Sequence, residues 1–188
     1  MGVTTNPPEN GRSFAGVPVV TELSAFQADV AILGIPYGTT YDVESPVNES
    51  AGSPTAIRAR TGPAMLYHHD FDIDRAVLAG DDTDVRLVDC GDVAGSPHPS
   101  DGAANRAMAT DAVKSILWAG AVPIVFGGDD SVPIPFFAAF EGRGPFTVIQ
   151  VDAHLDWRDE VHGSRYGYSS PMRRASEMDW ITGMVQIG

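Results

Sequence analysis

Asp152, His154 and Asp156 alternate along the run VDAHLD at residues 151–156. Carboxylate and imidazole are ligands for divalent metals, and three of them within five residues form a compact donor set. On an extended backbone the three side chains share one face. If the strand is already turning, they converge just beyond its carboxyl end, where open α/β sheets hold their ligands. Three polar groups on a buried face are costly unless something satisfies them, and a pair of divalent ions is the simplest partner. The plain alternative is a solvated strand-to-loop turn. A second acidic group, Asp129-Asp130, follows Gly127-Gly128, a pair that lets the backbone turn sharply and approach a ligand closely.

These side chains need elements to position them. The apolar run at 146–150 reads as a buried parallel strand leading into the triplet. Further strands are expected at 29–35, ended by Pro36, and at 85–89, 122–126 and 184–187. Ser53 as N-cap and Pro54 at the first helical position begin a helix through Arg60. Residues 105–118 read as an amphipathic helix with Met108, Ala112 and Ile116 on one stripe, beside Val113 and Leu117, and Gly120 closing it. A helix follows the 129–131 turn, with Pro133 and Pro135 confined to its first turn. Pro171 opens another through Met178. Strands alternating with helices predict an α/β fold, a parallel sheet covered on both faces with both acid clusters at one edge. Residues 1–28 read as an irregular N-terminal arm, and 29–188 as one α/β domain.

With 188 residues and 43% hydrophobic side chains the chain can build a sizeable core. A net charge of −13 argues against nucleic-acid and anionic-membrane partners, which need basic surface. A single cysteine, Cys90, excludes an intrachain disulfide and reads as a small buried hydrophobe. Without a signal-peptide pattern, a cytoplasmic location is the expectation. Asp70, Asp72 and Asp74, with Asp81 twelfth in the run, start like a calcium loop. Arg75 stands where such a loop requires glycine, so residues 68–84 read as a solvated acidic face.

Together GGDDS at 127–131, VDAHLD at 151–156 and SSPMRRA at 169–175 resemble the ureohydrolase family, which includes arginase, agmatinase and guanidinobutyrase. ILGIPYG at 32–38, SAGSPTAIR at 50–58 and VDCGDV at 88–93 extend the likeness to residues 29–188. The resemblance implies a three-layer αβα fold with a mostly parallel sheet and a binuclear manganese (Mn2+) site. It also implies a homo-oligomer, trimer or hexamer, that hydrolyses a guanidino compound to urea and an amine. By motif match Asp152 would bridge both metals, Asp156 would bind the first and His154 the second. Asp130 stands where the family usually has a histidine ligand, and a carboxylate suits Mn2+ as well. The nucleophile would be water activated by the metals rather than a side chain.

Tyr168 takes the place of a family histidine that serves in proton transfer or substrate contact. With an ordinary pKa of about 10, tyrosine shuttles protons poorly at pH 7 but donates hydrogen bonds well. His162 in the same loop is the alternative, unless it is simply a surface histidine. Arg158 would repel a cationic substrate unless it meets that substrate's own carboxylate, which leans toward a guanidino acid over agmatine. A surface salt bridge is the other reading of Arg158. The family's second Asp-x-Asp run and a later glutamate have no counterpart before Gly188, so the resemblance implies the N-terminal portion of a longer protein. Two functional readings result: a metal-dependent amidinohydrolase, with formimino or amide hydrolysis on the same scaffold as its variant, and a non-catalytic scaffold or partner subunit with an incomplete metal site.

Overall fold

The strand that centres the molecule is β1, Val30–Ile35, whose last five residues are all buried. In the computed structural model residues 2–39, 41, 49–62, 85–96 and 102–188 are described. The acidic segment 68–84 lies outside them. β1 pairs in parallel with β2, Leu87–Asp92, on one side and with β3, Val122–Gly127, on the other. A second parallel pair joins β4, Phe146–Val151, to β5, Ile181–Ile187. All strand pairs are parallel, as the alternating pattern requires.

A single continuous sheet was the expectation, and the described residues form two. β3 and β4 share no ladder. Between them stands the short helix α3, Pro133–Ala138, with both prolines in its first turn. (The helices before it are α1, Ser53–Arg60, and α2, Gly102–Trp118.) On the β4 side Phe136, Phe137 and Phe140 line a groove of about 360 Å3 with Phe146 and Trp180. On the β3 side Phe136 and Phe137 line another with Val125 and Gly127. Side-chain contacts rather than a strand ladder link this segment to the second sheet: Phe140 packs on Phe146 with ring centroids 5.2 Å apart, and Trp180 Nε1 donates to the Phe137 carbonyl at 3.0 Å. Hence β4 is not the buried strand that its apolar run suggested: Ile149 and Val151 are exposed.

The β2 strand begins and ends later than its apolar run indicated, taking in Asp89, Cys90, Gly91 and Asp92. Two buried carboxylates fit inside a strand because Arg58, from α1, neutralises them. Its Nε lies 2.8 Å from Asp89 Oδ2 and its Nη1 2.6 Å from Asp92 Oδ1. Its Nη2 donates to Asp89 Oδ1 at 2.9 Å and to the Gly91 carbonyl at 3.1 Å. Burial opposes the Arg58 charge, but hydrogen bonds to Asp89 and then Asp92 outweigh it and raise the pKa. Ser53 is not the N-cap: Gly52 holds that place, no side chain caps, and Pro54 lies within the first two helical positions.

Segment 2–28 is irregular but not loose. Asn6 and Asp92 exchange backbone hydrogen bonds at 2.8 Å each, and Asp89 donates to the Pro18 carbonyl while accepting from Val20. The arm therefore covers the outer edge of β2, satisfying groups that an exposed edge would offer to another chain. Against β1 packs α2. Its buried stripe runs through Asn105, Ala109, Ala112, Val113 and Ile116, and Met108 is exposed. Ala112, Val113 and Ile116 of the expected stripe are thus buried, and Met108 is the member that lies outside the core face. α4, Pro171–Ala175, is shorter than expected. Cys90 is fully buried, and burial pushes its thiol up to about 12, so it packs as a hydrophobe.

Candidate metal centre

Both acid clusters lie beyond the carboxyl ends of parallel strands, β3 for Asp130 and β4 for Asp152 and Asp156. One carboxylate oxygen from each of these three residues lies within 4.8 Å of the others. Asp152 follows the last residue of β4 and accepts the His154 backbone N–H at 2.6 Å. This contact ends the alternation that would have kept 152, 154 and 156 on one face. His154 consequently lies outside the carboxylate triad. Its ring is 81% exposed, with Nδ1 3.1 Å from Asp152 Oδ1.

Asp156 is brought back toward Asp130 by a left-handed backbone, φ 47°, a conformation that aspartate adopts more readily than most residues. Gln150 of β4 donates to Asp156 Oδ2 at 2.6 Å. Gln186, its register partner on β5, reaches both Gln150 and, at 2.9 Å, the Leu155 carbonyl. The backbone N–H of Arg173 on α4 donates to the Asp156 carbonyl at 3.2 Å. Sequence reasoning gave Gln150 and Gln186 no role. Each is a polar residue inside an apolar strand, and their alignment emerges only from the register.

Asp129 and Asp130 play different parts. Asp129 accepts the N–H and the hydroxyl of Ser131 at 2.9 and 2.6 Å, and Ser131 in turn accepts the Thr39 N–H at 2.8 Å. This local network fixes the turn after β3. Gly128 serves close approach rather than a sharp turn. A Cβ there would stand 2.8 Å from the Tyr37 carbonyl oxygen, and its φ is not left-handed.

The Oδ2 atom of Asp130 is buried with no hydrogen-bond partner among the described residues. Its carboxyl is pushed up to about 8, first by burial, then by the neighbouring Asp156, then by the charges of Asp152 and Asp129. An orphaned buried carboxylate oxygen beside two further carboxylates fits a hard divalent cation such as Mn2+. The sign of the pH effect follows from the raised pKa. Between about pH 4, where an unfolded aspartate titrates, and pH 8, the native metal-free chain holds a proton the unfolded chain has lost. Stability of the metal-free protein should therefore fall as pH rises through that window. Adding Mn2+ at pH 6 to 7 should release protons, readable by titration in weakly buffered solution. Mn2+ binding without proton release there would contradict this reading of Asp130.

Asp130, Asp152, His154 and Asp156 line a cavity of about 540 Å3 together with Leu155, Trp157, Arg158, Tyr168 and Ser169. The Arg158 guanidinium has no hydrogen bond or ion pair among the described residues, and its backbone N–H donates to the Ser169 carbonyl at 3.0 Å. His162 is elsewhere: it is exposed, at φ 49°, in the tight turn closed by reciprocal bonds between Val161 and Ser164. That position serves the turn and does not line the cavity.

A fold of parallel strands with acidic residues gathered at their carboxyl ends defines the class to which the comparisons point. The model of the arginase family matches residues 28–188, and the chain belongs to that family. Proclavaminate amidinohydrolase of Streptomyces clavuligerus is 32% identical over 165 residues, 85% of this chain and 49% of that protein. An agmatinase of Pyrococcus horikoshii is 34% identical over 151 residues, 80% of this chain and 48% of that protein. The solved structure of the Streptomyces clavuligerus amidinohydrolase superposes with a TM-score of 0.69 at 24% identity, covering 98% of this chain and 59% of that one. The chain spans about half the length of the curated relatives it matches. Among the described residues, no helix is long and apolar enough to cross a membrane.

Proposed function

We propose that this chain carries the metal-binding half of a cytoplasmic, homo-oligomeric amidinohydrolase that cleaves a small guanidino compound to urea and an amine. The observation that carries this reading is the Asp130–Asp152–Asp156 triad, with its orphaned Asp130 oxygen, at the base of a cavity. In this proposal Asp130, Asp152 and Asp156, with His154 beside them, would hold two Mn2+ ions. When bound, the metals supply Lewis acidity and activate water for attack on the guanidinium carbon. The chain's own residues do the rest. Gln150 and Gln186 orient Asp156, and the carboxylates favour the substrate's cationic end. Trp157 and Tyr168 wall the cavity, and Tyr168 acts as a hydrogen-bond donor rather than a proton shuttle.

The free Arg158 guanidinium supports a substrate whose far end is a carboxylate, such as 4-guanidinobutanoate. Arg158 is exposed in the free chain, and where bound substrate partly buries it a charge-assisted hydrogen bond there corresponds to ~1.5–3 kcal/mol, so this acid should be preferred over agmatine by about 10-fold or more. The comparison is kcat/KM for both substrates, then for both on Arg158→Ala. In the variant the preference should collapse. If agmatine is the better substrate and Arg158→Ala leaves the ratio unchanged, Arg158 points elsewhere and agmatine becomes the favoured substrate.

A further inference from the structure

One residue outside the cavity touches two consecutive residues of its wall, Tyr168 and Ser169, and the glycine before them. Tyr41 lies beyond the carboxyl end of β1 and is not among the residues lining the cavity. Its ring packs on Gly167, where a Cβ would come within 2.1 Å of Tyr41 Cε1, so a larger residue there would displace the ring. It also packs against Tyr168, with ring centroids 4.6 Å apart and planes tilted by 48°. Its hydroxyl is 2.6 Å from Ser169 Oγ and accepts the Ser169 backbone N–H at 3.3 Å. Ser169 is also the residue whose carbonyl holds the Arg158 backbone. Two residues before Tyr41, the Thr39 N–H is bound to Ser131, in the turn that carries Asp130. A short path therefore runs from that turn, through Thr39 and Tyr41, to Tyr168, Ser169 and Arg158.

We propose that Tyr41 is a positioning residue that sets the distance between the carboxylate triad and the Tyr168–Ser169–Arg158 wall, and thereby sets the length of substrate that fits. Its kinetic consequence rests on the amidinohydrolase reading; its structural consequence does not. A substrate of this class has a cation at one end and a distinguishing group at the other, and the wall meets the second end. Tyr41 holds that wall by one tilted ring contact and two contacts at its hydroxyl. Removing the hydroxyl frees Ser169, and removing the ring also frees Tyr168.

The test uses Tyr41→Phe and Tyr41→Ala in the active protein, with two measurements. The first is hydrogen exchange at the Ser169 amide without substrate. It should quicken about 5-fold in Tyr41→Phe, the effect of one ordinary hydrogen bond lost, and more in Tyr41→Ala. The second is KM and kcat for 3-guanidinopropanoate, 4-guanidinobutanoate and agmatine. Tyr41→Phe should raise KM for the best substrate about 5-fold and leave kcat within about 2-fold. Tyr41→Ala should also change the order of preference between the two acids, with Tyr41→Phe retaining it. A merely structural role would lower the melting temperature and the active fraction without moving KM or that order. Unchanged Ser169 exchange in both variants overturns the proposal, as does Tyr41→Ala with unchanged KM and preference. If the unaltered protein hydrolyses no guanidino compound, the amidinohydrolase reading fails, and exchange at Ser169 alone then decides whether Tyr41 positions the wall.

Discussion

Asp152→Asn should abolish metal-dependent activity and strip the centre of most of its manganese. The side chain stays almost the same size, so packing is not the cause. In the proposed arrangement Asp152 would hold both cations, and a neutral amide in that place would weaken both sites together. Residues that merely orient metal ligands typically cost 10- to 100-fold when changed, so a bridging ligand should cost more than about 100-fold in activity. The fold should survive, because among the described residues no strand ladder, helix or buried ion pair depends on the Asp152 carboxylate; its hydrogen bonds there run to the backbone and ring of His154. The readouts are elemental analysis after gel filtration and urea formation at saturating Mn2+. Full activity in a well-folded Asp152→Asn protein would favour the non-catalytic scaffold reading.

Arg58→Ala should be the most damaging single change to stability. It leaves Asp89, fully buried, and Asp92, nearly so, as uncompensated charges inside a central parallel pair. Breaking a buried ion pair from one side costs about 3–5 kcal/mol. Domains of this size have a net stability of about 5–15 kcal/mol, so much of the folded population would be at risk. The damage should spread to the N-terminal arm, since Asp89 Oδ2 also accepts the Phe14 N–H at 2.8 Å and the Asp92 backbone holds Asn6. Denaturant unfolding of Arg58→Ala against the unaltered protein checks it. A loss below about 1 kcal/mol, the scale of an exposed pair, would mean that the carboxylates find another partner.

The sequence made the parallel strands, the two prolines opening α3 and the meeting of two acid-bearing strand ends readable. Each of these rests on local pattern: β-branched runs, proline positions, and carboxylates at spacings of two. Where expectation failed, a distant partner decided. The expected strand stopped at Asp89, whereas β2 runs on to Asp92; Arg58, 31 and 34 residues before the two acids, makes both carboxylates admissible inside it. The arm at 2–28 looked unpaired because its partners, Asp89 and Asp92, lie far along the chain. His154 seemed to share a face with Asp152 and Asp156, but β4 stops at Val151 and the Asp152 carboxylate captures the next turn. Gln150, Gln186 and Tyr41 were silent because their meaning depends on register and on loop packing, neither of which leaves a periodic trace.

The most direct measurement of the central claim is urea formation from 4-guanidinobutanoate by the Mn2+-loaded active protein, run beside the same protein after chelation. Urea and 4-aminobutanoate should form in equal amounts, both should be lost with the chelator, and both should return when Mn2+ is restored. A protein that binds Mn2+ at Asp130, Asp152 and Asp156 yet releases no urea from any guanidino compound would contradict it.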